Sequence, residues 1–156
     1  MKKKVLAVIG CIAVILFAGC SEDTSEYESK LPVFSDVVFD VDNIYTGETV
    51  TATAVQYEKG KLLANASYLW KIDDSSYSND VIYSMNSNNP TCSFTAPELP
   101  GTYTITFKGQ YNISGRAGNS STISEINKGT VKYEYTPIKG TVTVTKKFTV
   151  KQQPGN

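Results

Sequence analysis

Histidine is absent from the 156 residues. That one absence removes the Ser-His and Cys-His catalytic arrangements and every histidine-ligated metal site. Cysteine is nearly as scarce, with Cys11, Cys20 and Cys92 the only three. A single tryptophan, Trp70, leaves one large stacking surface in the whole chain. Net charge is lacking too: 15 basic residues match 15 acidic ones, which argues against nucleic acid, whose partners carry a basic face. No glycine-rich loop follows a strand and opens a helix, so a phosphate cradle is not expected. Past residue 30 no helical period can be found, and the only long apolar run lies at the start.

That run opens with Lys2, Lys3 and Lys4 and continues as the apolar stretch Val5–Ala18. At ~1.5 Å per residue it would span ~21 Å as a helix, short of the ~30 Å hydrocarbon core of a bilayer. A secretory signal is therefore expected in place of a membrane-crossing helix. The segment closes Leu16-Phe17-Ala18-Gly19-Cys20, which resembles the lipobox of bacterial lipoproteins. The resemblance implies cleavage before Cys20, with residues 1–19 as signal peptide, and lipidation (palmitate among the acyl chains) of Cys20. Two or more chains would hold a protein stably on a membrane, whereas one does so only marginally. An ordinary signal peptide that happens to contain a cysteine is the alternative. With Cys11 removed and Cys20 acylated, Cys92 would be the sole remaining thiol, and no intramolecular disulfide could form.

Glu22, Asp23, Glu26 and Glu28 follow Cys20, against Lys30 alone. Leu31–Asn156 holds 11 residues of each sign, so the charge imbalance of the mature chain belongs to this segment. A polar, acidic stretch cannot bury enough apolar surface to fold, and 20–30 is expected to be a solvated tether. Its start, Cys-Ser-Glu-Asp, resembles the acidic export signal of Bacteroidota-type lipoproteins, which implies an outer-membrane, cell-surface address. A charged linker with no address is the plainer reading.

From residue 31 the recurring pattern is alternation, the mark of half-buried strands. In Gly101–Ile113, Tyr103, Ile105, Phe107, Tyr111 and Ile113 share one parity, and Thr102, Thr104, Thr106, Lys108, Gln110 and Asn112 fill the other. The last run repeats this, with Val142, Val144, Phe148 and Val150 facing in and Lys146 interrupting. Weaker runs lie at Val33–Val41, Glu48–Tyr57, Ala66–Asp73, Val81–Met85 and Thr91–Ala96. Turn-forming clusters separate them, and about seven short strands at this spacing predict an all-β sandwich over 31–156.

"PTCSFTAPELPGTYTITF" (Pro90–Phe107) resembles the close of an immunoglobulin-like or PKD-type domain, where a Pro-Gly corner leads into a Gly-x-Tyr strand. The resemblance implies that Tyr103 is a tyrosine-corner residue whose hydroxyl satisfies backbone at the bend. "SYLWKIDD" (Ser67–Asp74) is similar to the family's central Trp strand, and "GTVTVTKKFTV" (Gly140–Val150) to its last strand. Two departures stand out. Trp70-Lys71-Ile72-Asp73-Asp74 lacks the glycines of the usual PKD run, and the insertion 114–135 before the last strand is longer than a hairpin needs.

Chemistry-bearing groups are few. Cys92 alternates with Phe94 and reads as a buried, inert thiol. Asp73-Asp74 and Asp40/Asp42 could wrap Ca²⁺ but equally make turns, so no metal or other cofactor is expected, and no enzyme. The insertion exceeds ~12–15 residues, the length above which loops are usually functional or disordered. With Val131, Tyr133 and Tyr135 alternating at its end, it would form a hairpin arm beyond the sandwich or lie back across the sheet. Tyr77, Tyr83, Tyr111, Tyr133 and Tyr135 are candidates for partly exposed positions, since tyrosine offers a flat apolar face with a polar tip. Strand preference explains tyrosine equally well. Tyr111, Tyr133 and Tyr135, with Arg116 of the insertion, are the candidate ligand-binding residues. The expected function is a lipid-anchored, surface-displayed binding or adhesion module that contacts an extracellular protein or glycan through its loops. The alternative is a structural accessory subunit of an outer-membrane, nutrient-uptake type complex.

Overall fold

The computed structural model describes residues 24–74, 81–87, 89–117 and 129–155. The expected signal peptide, Cys20, Tyr77 and the centre of the insertion (118–128) lie outside the described residues. Apart from one 3₁₀ turn at Thr24–Tyr27, every regular element among the described residues is a strand. The strands are β1 (Glu28–Ser29), β2 (Val33–Phe39), β3 (Ile44–Tyr45), β4 (Thr49–Glu58), β5 (Leu63–Asp74), β6 (Val81–Ser87), β7 (Thr91–Thr95), β8 (Gly101–Ile113), β9 (Arg116–Ala117), β10 (Val131–Tyr135) and β11 (Lys139–Lys151).

A large sheet runs β10-β11-β8-β5-β6, with β3 added in parallel at the far end of β11. The smaller sheet runs β2-β4-β7. The inward faces of both sheets supply one continuous core. The architecture is all-β and sandwich-like. Among the described residues there are eleven strands, three of them two residues long, where about seven were expected.

β8 and β11 are the spine of the large sheet, paired antiparallel from Lys139↔Asn112 to Val150↔Gly101. In both, the inward residues are apolar and the outward ones are largely threonine and lysine, and burial follows that parity. Lys146, the interruption in β11, reaches across the core edge to Asp36 Oδ2 of β2 at 2.6 Å. Both partners are partly exposed, so the pair contributes at most about 1 kcal/mol.

β2 departs from simple alternation. Phe34 and Val37 are both fully buried although three residues apart. Register shifts against β4 between Val33 and Asp36 account for this, because a bulge moves the following residues to the other parity. β10 is neither a projecting arm nor a strap. It pairs with β11 from Val131↔Val144 to Tyr135↔Gly140 and forms the outer strand of the large sheet.

Phe107 sits at the centre of the core. Its ring centroid lies 4.9 Å from Phe34 of the opposite sheet, 5.0 Å from Trp70 and 5.4 Å from Tyr68. A second ring group joins Phe148 to Phe39 at 5.3 Å, to Tyr103 at 5.8 Å and to Phe94 at 5.9 Å. Tyr103 donates its hydroxyl hydrogen to the Leu99 carbonyl at 2.7 Å, within the Pro-Gly corner.

Phe107→Ala should lower unfolding stability by about 3–5 kcal/mol, because the void opens between three rings that cannot all close in. Urea unfolding of the two proteins side by side measures the difference.

Candidate functional site

Tyr133 and Tyr135 alternate with Lys132 and Glu134 on β10, so both rings fall on the inner face and are half-buried. Their hydroxyls are used. The Phe34 N–H donates to Tyr133 Oη at 3.3 Å, and the Leu31 N–H donates to Tyr135 Oη at 3.2 Å. β2 is the outer strand of the smaller sheet, and an outer strand has N–H groups with no ladder partner. The two phenols fill that role and latch the β10 edge to the β2 edge.

Tyr111 is buried, with 5% of its surface exposed, which corrects the expectation of a partly exposed ring. It continues the inward parity of Tyr103, Ile105 and Phe107, and that parity prevails over tyrosine's polar tip. Gly109 makes room for it, since a Cβ there would stand 3.0 Å from the Tyr111 oxygen. The hydroxyl has no hydrogen-bond partner among the described residues. Tyr111 and Tyr68, with centroids 6.2 Å apart at 70°, line a cleft of about 170 Å³ together with Gln56, Pro32 and Leu63. The cleft opens where β5 shifts register between Ala64 and Ser67 against β8. It could hold a small polar molecule, but it brings no carboxylate or thiol to bear.

The chain joins the sandwich beside this cleft. Ser29, completely buried, donates to the Leu62 carbonyl at 2.6 Å and accepts from the Gly115 N–H at 2.9 Å. β1 pairs in parallel with β9, Glu28↔Arg116 and Ser29↔Ala117. Lys30 and Lys61 exchange backbone hydrogen bonds at 3.0 and 2.9 Å. Gly115 is needed here, because a Cβ would collide with the Tyr27 carbonyl. Residues 28–30 therefore belong to the folded body, where a solvated tether was expected. Arg116 is placed by its backbone at the root of the insertion, beside the N-terminal segment. The structure brings Tyr133 and Tyr135 together and sets Tyr111 apart in the core. Composition could not reveal the Ser29 joint, whose partners lie 33 and 86 residues away in sequence.

Two of the remaining candidates, Asp40 and Asp73, are occupied locally. Asp40 Oδ1 accepts the Thr51 N–H at 2.8 Å, and Asp73 pairs with Lys71 at 2.8 Å. No group of three metal-ligating side chains is found among the described residues. Burial pushes the Cys92 thiol up to about 12. No family model, curated protein or solved structure matches the chain, so its function has to be read from its own residues.

Tyr133→Phe and Tyr135→Phe should each cost about 1 kcal/mol, since the first leaves the Phe34 N–H of β2 and the second the Leu31 N–H just before it without an acceptor. Tyr111→Phe should be nearly neutral at pH 7, because the hydroxyl it removes has no protein partner. The alkaline behaviour has a definite sign. Burial raises the phenols of Tyr111, Tyr133 and Tyr135 above their ordinary value. Above pH about 10 the unfolded chain sheds these protons while the folded chain keeps them. Stability is then complete below that pH and declines as pH rises further, and Tyr111→Phe should flatten the decline in melting temperature. Cys92 should resist iodoacetamide at pH 8 in the folded protein and react fully in guanidinium, as read by mass spectrometry.

Proposed function

We propose that the chain is a lipid-anchored, non-enzymatic binding module, an immunoglobulin-like or PKD-type sandwich held on the outer-membrane surface through Cys20. The observation that supports this reading is the joint at Ser29, which fixes the described N-terminal segment, only a few residues after Cys20, at one end of the sandwich. The opposite end carries the turns at 40–48 and 96–100 and is directed away from the bilayer. The Tyr103–Leu99 hydrogen bond at the Pro-Gly corner and the burial of Trp70 against Phe107 support the family reading. Where the acids sit supports a binding role in preference to catalysis. Asp36, Asp40 and Asp73 are engaged with Lys146, Thr51 and Lys71, and none of them lines the tyrosine cleft.

The outward turns are the surface that meets an extracellular protein or glycan. Leu99, 73% exposed, is the most prominent apolar group among the described residues there. Cys20→Ser should move the protein from the membrane to the soluble fraction, and protease added to intact cells should remove the wild-type domain. A Cys20→Ser protein that stays as firmly membrane-bound would overturn the anchor. Stoichiometric recovery of a membrane protein with the wild type in mild detergent would favour the accessory-subunit reading instead.

A further inference from the structure

Six large apolar side chains are well exposed among the described residues, and four of them gather at the end where the chain joins the sandwich. Tyr27 is 67% exposed, Leu62 40%, Tyr57 76% and Ile138 69%. Their proximity follows from backbone contacts. The Gly115 backbone packs against both Tyr27 and Leu62. Ser114 donates to the Leu62 carbonyl at 3.0 Å, and Ile113 donates to that of Ile138 at 3.0 Å. Tyr57 precedes Glu58, which pairs with Val33 just after the joint. Val38 and Leu99 lie elsewhere, on β2 and at the outward end.

Leu62 breaks a local rule. Its φ of +50° lies in the left-handed region, where glycine or asparagine would sit without strain. Leucine here holds an apolar group outward on a backbone pinned by Ser29 and Ser114. Residues that violate local preference in this way tend to mark functional positions.

Chain length says what covers this face. Only Ser21, Glu22 and Asp23 separate Cys20 from the 3₁₀ turn that begins at Thr24. Four Cα steps reach at most ~14 Å even when fully extended. The headgroup layer of one leaflet is itself roughly 5–8 Å deep. A body tied so closely cannot hold its joined end far from the lipid.

We propose that this end of the sandwich rests on the bilayer surface that takes the acyl chains, with Tyr27 and Leu62 seated among the headgroups. The proposal rests on the lipid-anchor reading of Cys20. Tyrosine, with an apolar body and a polar tip, is suited to that layer. Lys59, exposed beside Gly60, can lay its methylenes along the apolar patch and turn its ammonium group to phosphate. Glu22, Asp23, Glu26, Glu28 and Glu58 outnumber Lys30, Lys59 and Lys61 around this end. Attraction therefore comes from the apolar groups and from the anchor, which keeps a weak contact permanently at high effective concentration.

The test uses the mature acylated protein in phosphatidylethanolamine/phosphatidylglycerol vesicles. Tyr27→Trp places a reporter on the proposed contact, and Leu99→Trp places one at the outward end. Flotation with the vesicles tests the anchor. Quenching by lipids brominated near the headgroup tests the contact, with the wild type giving the background from Trp70. The expected result is flotation of both variants, with at least twofold stronger quenching for Tyr27→Trp than for Leu99→Trp. Adding Leu62→Asn, which suits the left-handed backbone better, should weaken that quenching while leaving the melting temperature equal or higher. Flotation with equal quenching at both positions would overturn the contact and leave the anchor standing. Failure to float would overturn the anchor and the contact with it. In cells, a photo-crosslinker at position 27 that captures a stoichiometric protein and no lipid would also overturn the contact.

Discussion

The stacking of Phe107 across the two sheets is the contact on which the rest of the structure depends. No disulfide is found among the described residues, and the thiol of Cys92 is buried and free. The sheets are therefore joined chiefly by packing, helped at one seam by the Tyr133 hydroxyl and the Lys146–Asp36 pair. Phe107 lies on β8, the middle strand of the large sheet, and meets Phe34 of the smaller sheet as well as Trp70 and Tyr68 beside it. Tilted rings at such separations gain somewhat more than their buried area alone provides. The β2 bulge turns Phe34 inward to meet Phe107, so an irregularity in one strand serves the centre of the core. Around Phe148 a second set of rings holds the outward end, where the Tyr103 hydroxyl also fixes the corner.

The sequence was most legible where a strand is long and has one wet face. Gly101–Ile113 and the run ending at Val150 could be read with their buried parity, because alternation over a dozen residues admits one interpretation. β2 was read as an extended run but not by face, since its bulge erases the period of two. Tyr111 shows two sequence signals in competition. Strand parity sent it inward, residue chemistry suggested a surface role, and parity prevailed. The 20–30 segment shows the limit of composition. Its acids and serines describe a solvated spacer, yet Ser29 is buried by partners brought from the β4–β5 turn and the end of β8. Such a joint has no local signature.

Tyr133 and Tyr135 illustrate the same limit from the other side. Their number and alternation were visible, but their roles depend on which strand lies opposite. Facing the open edge of β2, the hydroxyls take up the Phe34 and Leu31 N–H groups. A side chain with a face suited to stacking on a ligand instead closes a seam of the sandwich.

That closure bears on how a partner could engage the fold. Docking by main-chain pairing needs an outer strand with accessible N–H and C=O groups. At the seam between β2 and β10, phenol oxygens already occupy part of the β2 edge, and the Lys146–Asp36 pair spans the same two sheets further along. At the outward end, β3 covers the last two residues of β11. A partner approaching by strand addition on this side would have to displace hydrogen bonds that also hold the sheets together, and would weaken the body it binds. Recognition at the turns carries no such cost, since Leu99 and its neighbours stand outside the ladder. The way the sandwich is sealed therefore favours engagement at its ends over engagement along this edge.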